Sequence, residues 1–296
     1  RTFYLWNIYE KGINMILKTL RNNFIKTLID YYAETEIVSF FNLLSADILK
    51  MQRIDIAQNL YAVISGKKQE KFQNAVNKLK NYIPIQYITG NTEFYNLTLK
   101  VNAATLIPRP ETEELVAWII NDQNNKQNIS ILDVGTGSGC IAIALAKNLP
   151  EAKVFALDVS EKALKIARQN AVDNGVTIEF IEADIFDVDL GNLQFDVIVS
   201  NPPYVRELEK ETMSPNVLNH EPHLALFVKD DDPLLFYRSI VEVTNNTLKS
   251  KGFLYFEINE FLGNLARQLV QKLNYCNIEL KKDLFMKERM IKANKK

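Results

Sequence analysis

Ile131 to Lys147 read ILDVGTGSGCIAIALAK: an apolar run, three glycines within five residues, then an apolar pattern at helical spacing. Strand, tight loop and helix in that order form the repeating unit of open α/β sheets. Such sheets bind ligands beyond the carboxyl ends of their strands, near helix N-termini. The chain has only 10 glycines among 296 residues, roughly half the usual share of about 7%. Gly135, Gly137 and Gly139 are therefore concentrated where the backbone needs positive φ or a ligand needs close approach. The spacing separates this loop from two phosphate cradles. A dinucleotide fingerprint, G-x-G-x-x-G, has its third glycine where this chain carries Cys140, and a Walker A loop needs a Gly-Lys-Ser/Thr that is absent. Asp133, just ahead of the loop, would repel a phosphate but can accept hydrogen bonds or attract a cation.

Outward from this unit, strands and helices alternate. Strands are expected at 129–134, 154–158, 177–181, 195–200 and 253–258, with helices at 111–120, 140–148, 161–174, 233–248 and 261–273. The alternation predicts a mostly parallel sheet covered on both faces. Two last strands, 275–280 and 285–293, are separated by too little chain for a parallel crossover, so one of them should run antiparallel. Residues 85–107 are rich in Thr, Tyr, Ile and Val and predict a β-hairpin, with Gly90-Asn91 as its turn. From Met15 to Tyr82 there is no proline, and apolar residues recur at helical spacing: Ile16, Leu17, Leu20, Phe24, Leu28, then Phe40, Leu43, Leu44, Ile48, then Leu60, Val63, Ile64. The expected organisation is a small helical domain at 15–84, a hairpin linker at 85–107 and an α/β domain at 108–296. Residues 1–14 precede Met15, which reads as a natural start, and are expected to be a leader or an appended segment.

Hydrophobic content of 47% and charged content of 24% exclude collagen-like, low-complexity and largely disordered readings. Lys and Arg number 35 against 36 Asp and Glu, a net charge of −1. Nucleic-acid binders usually carry a basic excess that neutralises phosphates, so the balance weighs against such a partner. Cys140 and Cys276 have no CxxC partner, which argues against a disulfide framework or a zinc site and fits a reducing cytosol. No apolar run approaches the roughly 20 residues of a membrane span. His220 and His223 flank Glu-Pro, but HEPH lacks the spacing of the HExxH zinc motif, and no metal is expected.

Two further carboxylates fall in register with the glycine loop. Asp158 ends the next strand about 20 residues on, where an acidic residue typically accepts from ribose hydroxyls. Asp184-Ile185-Phe186 follows the third strand. Asp133-Val134-Gly135-Thr136-Gly137-Ser138-Gly139 resembles the first motif of class I S-adenosylmethionine-dependent methyltransferases. That cofactor carries a sulfonium, an ammonium and a carboxylate rather than phosphates, which suits this loop. The resemblance implies a Rossmann-like sheet and a cofactor site formed by Asp133, Gly135, Thr136, Gly137, Ser138, Gly139, Asp158, Asp184, Ile185 and Asn201. It further implies that Asp184 faces the adenine amino group, and that Ile185 supplies apolar contact and a backbone amide.

Asn201-Pro202-Pro203-Tyr204 leaves the fourth strand at once. Two prolines fix φ and hold the preceding residue extended, so the Asn201 side-chain oxygen and the Pro202 carbonyl can converge on one point. Two acceptors suit a planar NH2 group. They grip its hydrogens, help free its delocalised lone pair, and stabilise charge developing on nitrogen as a methyl arrives. Tyr204 can stack on the planar face. Asn201, Pro202 and Tyr204 are the candidate catalytic residues, and with Pro203 they form the candidate substrate pocket. The motif resembles N-methyltransferases that act on planar nitrogens of DNA adenine, some RNA bases and protein glutamine.

Leu106 to Val116, LIPRPETEELV, and His220-Glu221-Pro222-His223-Leu224-Ala225-Leu226 narrow the resemblance. With DVGTGSG and NPPY they are similar to the HemK family, the release-factor glutamine N5-methyltransferases, from about Met15 to the C-terminus. The stretch 228–233 departs from that pattern by being acidic and lacking glycines, and Asn259 stands where glycine or histidine is common. The resemblance implies methylation of the glutamine in the Gly-Gly-Gln loop of peptide-chain release factors. Asn201 and Pro202 would hold the amide, and the helical domain would dock the factor. A cytoplasmic monomer with a protein partner, no nucleic acid and no membrane is the expectation. The competing readings are a ribosomal-protein glutamine methyltransferase, a nucleic-acid adenine or guanine N-methyltransferase, and a cofactor-binding adaptor without activity.

Overall fold

The computed structural model describes residues 15–296, so the expected leader at 1–14 lies outside the described residues. The chain forms two compact units that divide between Gly90 and Asn91. The first contains β1 (Met15–Ile16), α1 (Leu17–Leu28), α2 (Glu34–Leu44), α3 (Arg53–Gln58), β2 (Val63–Ile64), α4 (Gly66–Lys80) and α5 (Ile85–Thr89). Its core follows the helical spacing. Leu17, Leu20, Phe24 and Leu28 form the buried stripe of α1, and Phe72, Val76 and Leu79 that of α4. Phe24, Phe41 and Phe72 pack ring against ring, with centroids 5.4 to 6.3 Å apart. The helix expected through Leu60, Val63 and Ile64 is not present. The Leu60 and Ala62 carbonyls instead accept from the amides of Lys18 and Leu17, which draws this segment into an antiparallel pairing of β2 with β1.

The second unit opens with the hairpin of β3 (Asn91–Phe94) and β4 (Leu97–Lys100). The expected turn at Gly90-Asn91 is corrected. Gly90, at φ 76°, closes α5, and the hairpin turns at Tyr95-Asn96, with φ 49° and 60°. Tyr95 is held there by its amide, which donates to Glu113 Oε1 at 2.8 Å. Next come α6 (Pro110–Gln123), β5 (Ser130–Val134), α7 (Cys140–Asn148), β6 (Lys153–Asp158), α8 (Glu161–Asp173), β7 (Glu179–Glu182) and β8 (Phe195–Ser200). After them follow β9 (Val205–Arg206), α9 (Pro215–His220), α10 (His223–Leu226), β10 (Phe227–Val228) and α11 (Leu235–Thr244). The chain ends with β11 (Leu248–Glu257), α12 (Gly263–Lys272), β12 (Tyr275–Lys282) and β13 (Glu288–Lys295).

Seven strands form one sheet in the order β12-β13-β11-β8-β5-β6-β7. Only β13 runs against its neighbours, as the short break before it requires. Residues alternate between two buried faces. Ile131, Val197, Val199 and Tyr255 face α6 and α7, and Leu132, Ile198, Leu254 and Phe256 face α11 and α12. The sheet is Rossmann-like, mostly parallel and covered on both sides. Among the described residues no helix is long and apolar enough to cross a membrane.

Candidate active site

Strand register sets the site. Val134 pairs with Leu157 on one side and with Ser200 on the other, and Ser200 pairs with Phe256. The next residues, Gly135, Asp158, Asn201 and Glu257, therefore stand in one row at the carboxyl edge of the sheet. The strand order reverses at β5, so this row lies at the switch point where open α/β sheets leave a crevice.

All three glycines of the loop take positive φ, at 74°, 56° and 83° for Gly135, Gly137 and Gly139. Their surroundings differ. A Cβ on Gly135 or Gly137 would meet nothing within 4 Å, whereas one on Gly139 would come within 2.9 Å of Ile143 Cδ1 and 3.1 Å of Ala167 Cβ. The first two keep the backbone open, and the third lets α7 pack against α8. Asp133 is fully buried beneath the loop, where its Oδ2 accepts from Thr136 Oγ1 at 2.6 Å and from the Ala142 amide at 3.3 Å. Burial pushes its carboxyl up to about 7. Asp158 accepts from the Gly137 amide at 2.8 Å and the Ser160 amide at 2.9 Å. Burial raises its pKa as well. Asn170 ties the loop to the hairpin, donating to the Ser138 carbonyl at 2.9 Å and the Lys100 carbonyl at 3.0 Å.

A cavity of about 270 Å³ opens before this loop. Gly135, Thr136, Gly137, Ser138, Asp158, Asp184, Ile185, Asn201, Pro202 and Pro203 line it, and so do Phe186, Phe236 and Ile240. Asp133, Gly139 and Tyr204, named with them from the sequence, do not line it. Asp133 supports Thr136 from below, Gly139 packs helices, and Tyr204 lies beyond Asn201. A second cavity of about 270 Å³ is lined by Tyr204, Val205, Met213, Val217 and Leu226. The two cavities share Leu106, Arg109, Asn201, Pro202 and Ala225, so they meet at the Asn-Pro turn. Two buried oxygens beside the first cavity, Asp133 Oδ1 and Ser138 Oγ, have no partner. Open glycine backbone, the unpartnered Ser138 hydroxyl and the Asp158 and Asp184 carboxylates fit a ligand that both donates and accepts hydrogen bonds. The apolar flank of Ile185, Phe236 and Ile240 fits a flat base. Cys140 lines the same cavity, but burial, and then the nearby Asp133, push its thiol up to about 12, which leaves it protonated and inert.

Several residues at this site were not singled out from the sequence. Asn201 Nδ2 donates to Thr112 Oγ1 at 3.2 Å. Thr112 in turn donates to Glu257 Oε2 at 2.6 Å, and Tyr204 donates to Glu257 Oε1 at 2.9 Å. Glu257 is buried, and desolvation raises its pKa. An acid ending an apolar strand, the signal that singled out Asp158, was also present in Phe253-Leu254-Tyr255-Phe256-Glu257. Arg109 and Glu221 belong to motifs read from the sequence, but only the fold joins them. Among the described residues no group of three or more His, Cys, Asp or Glu is placed to hold a metal ion.

The chain matches two family models. Residues 20–90 match the PrmC N-terminal domain, and residues 114–223 match the methyltransferase small domain. A release factor glutamine methyltransferase of Flavobacterium psychrophilum is 49% identical over 95% of this chain and 99% of its own length. Its counterpart in Bacteroides thetaiotaomicron is 43% identical over 91% of this chain and 97% of its own length. A crystal structure of a methyltransferase from Pyrococcus furiosus shares the fold. Its TM-score is 0.51 at 18% identity, covering 75% of this chain and 98% of that one.

Proposed function

The chain belongs to the release factor glutamine methyltransferase family, and from that premise we propose that it methylates N5 of the glutamine in the Gly-Gly-Gln motif of peptide-chain release factors. The carrying observation is the meeting of two cavities at Asn201 and Pro202. One cavity is walled by the glycine loop and strand-end acids, and we assign it to S-adenosylmethionine. The other is walled by apolar side chains and Tyr204, and we assign it to the glutamine side chain.

When bound, S-adenosylmethionine supplies an electrophilic methyl group on a sulfonium. The protein's part is positioning. Asn201 Nδ2 is engaged by Thr112, so its Oδ1 is the atom left to accept from the substrate NH2. The Pro202 carbonyl is the second acceptor, on a turn that two prolines hold rigid. Together they fix the amide, favour the geometry in which its lone pair is free, and oppose the positive charge that develops on nitrogen. The proton lost afterwards passes to water, so no strong base is required. Asp158 serves the ribose hydroxyls, and Asp184 and Ile185 the adenine edge. We place the reaction in the cytoplasm, where translation supplies its substrate.

The ribosomal-protein and nucleic-acid readings share the Asn-Pro turn. Labelled methyl transfer offered side by side to a release factor, a ribosomal protein and nucleic acid separates them. Label on the release factor supports the reading, and label on nucleic acid alone overturns it.

A further inference from the structure

We propose that Glu257 and Thr112 are positioning residues that decide which end of the Asn201 amide faces the substrate. The inference rests on the amide-methylation reading above and extends it to residues that do not touch the reacting atoms. Glu257 ends β11 one residue beyond the pairing of Phe256 with Ser200, so register alone brings it beside Asn201. Its carboxylate is buried and is held by two hydroxyls, Tyr204 at 2.9 Å and Thr112 at 2.6 Å.

A carboxylate only accepts, and a threonine hydroxyl has a single hydrogen. Thr112 directs that hydrogen to Glu257, so toward Asn201 it can only accept. Asn201 must then turn Nδ2 to Thr112, at 3.2 Å, and Oδ1 away from it. Among the described residues no donor reaches Asn201 Oδ1, which leaves it for the substrate. The asymmetry of an asparagine amide is thus resolved by a carboxylate two hydrogen bonds away.

Replacing Glu257 by Gln tests the direction without changing the shape. The Gln oxygen would accept from Tyr204, and its NH2 would donate to Thr112. The opposite placement would bury the Tyr204 hydrogen without an acceptor, so it is disfavoured. Thr112 would then donate to Asn201 Oδ1, and Asn201 would present NH2 to the substrate NH2. Donor would face donor, and the amide would not be held.

The experiment measures kcat and KM for methylation of a release factor, together with S-adenosylmethionine affinity by calorimetry and thermal melting, for wild type, Glu257→Gln, Thr112→Val, Thr112→Ser and the double variant Glu257→Gln with Thr112→Val. Loss of one oriented group at a reacting centre lowers kcat on the order of 100-fold, and this is expected for both Glu257→Gln and Thr112→Val. Cofactor affinity is expected to stay within about threefold for Glu257→Gln, whose side chain does not line the cofactor cavity, and for Thr112→Ser, which keeps the hydroxyl of the one residue of the pair that does. Thr112→Ser, which keeps the hydroxyl, is expected to recover the rate lost in Thr112→Val. The double variant is expected to be no slower than either single one, because all three break one chain. The proposal is overturned if Glu257→Gln keeps a wild-type kcat, if Thr112→Ser fails to recover the rate, or if the two defects multiply. A wild-type enzyme that labels no amide overturns this inference together with the functional reading. Active variants beside an active wild type overturn the inference alone.

Discussion

Arg109 Nη2 donates to Glu221 Oε1 at 2.6 Å, across 112 residues of sequence. The same carboxylate accepts from the Ile107 amide at 3.0 Å through Oε2. It thereby joins the segment before α6 to the segment before α10, and both segments contribute walls to the two cavities. The Glu221 side chain is 1% exposed and that of Arg109 31%, so the carboxylate depends on its partner more than the guanidinium does.

Glu221→Ala should therefore destabilise the fold by about 2 kcal/mol, less than for a fully buried pair because Arg109 can recover water. It should also raise KM for the protein substrate, as the shared wall loosens. Urea unfolding and steady-state kinetics check both. A midpoint equal to that of wild type would show that the two segments are held by other contacts.

The loop glycines should separate under substitution. Gly139→Ala meets both a positive φ and close contacts with Ile143 and Ala167. It should cost about 2–3 kcal/mol of stability, combining backbone strain with overpacking. Gly135→Ala meets only the positive φ and should cost about 1 kcal/mol. It should weaken S-adenosylmethionine binding out of proportion to that loss, since its methyl group would enter the open space before the loop. Denaturation and calorimetry on the two variants provide the comparison, and equal stability losses would contradict it.

Asp133 should make stability depend on pH. Its carboxyl is raised from 3.8 to about 7 in the folded chain. Between about pH 4 and 7 the unfolded chain is ionised at this residue while the folded chain keeps the proton, so folding takes up a proton. Its contribution to stability falls as pH rises through that window and levels above it, by no more than about 4 kcal/mol in all. Asp133→Asn removes the titration and keeps an acceptor for Thr136 and Ala142. The stability of the variant relative to wild type should therefore grow steadily from pH 4 to pH 7, measured by urea midpoints at several pH values. A difference that stays constant with pH would mean that Asp133 is ionised in the folded chain.

Much of this was legible in the sequence because its signals are local. The strand, loop and helix of Ile131 to Lys147 lie within one unbroken stretch, and Asn201 to Tyr204 carry their own constraint in two prolines. What escaped depends on strand order. Glu257 joins the row of Gly135, Asp158 and Asn201 only because β11 pairs with β8, and no local pattern states that pairing. Thr112 and Arg109 are polar residues near a helix start, where a cap or a solvated surface is the ordinary outcome. The hairpin turn was misplaced for a different reason. Gly90-Asn91 has the composition of a turn, whereas Tyr95 takes φ 49° only because Glu113, from α6, holds its amide. Leu60, Val63 and Ile64 keep helical spacing without a helix because the start of α1 captures the Leu60 and Ala62 carbonyls and β1 pairs with Val63 and Ile64.

In the proposed reaction Asn201 and Pro202 hold a release-factor glutamine amide for methylation. The direct measurement is transfer of labelled methyl from S-adenosylmethionine to a purified release factor, its Gly-Gly-Gln glutamine intact or replaced, by wild type and by Asn201→Ala. The wild-type enzyme should label the intact factor and not the replaced one. Asn201→Ala should lower kcat on the order of 100-fold while S-adenosylmethionine affinity changes little. Labelling that survives replacement of the glutamine, or an Asn201→Ala enzyme with an undiminished kcat, would contradict it.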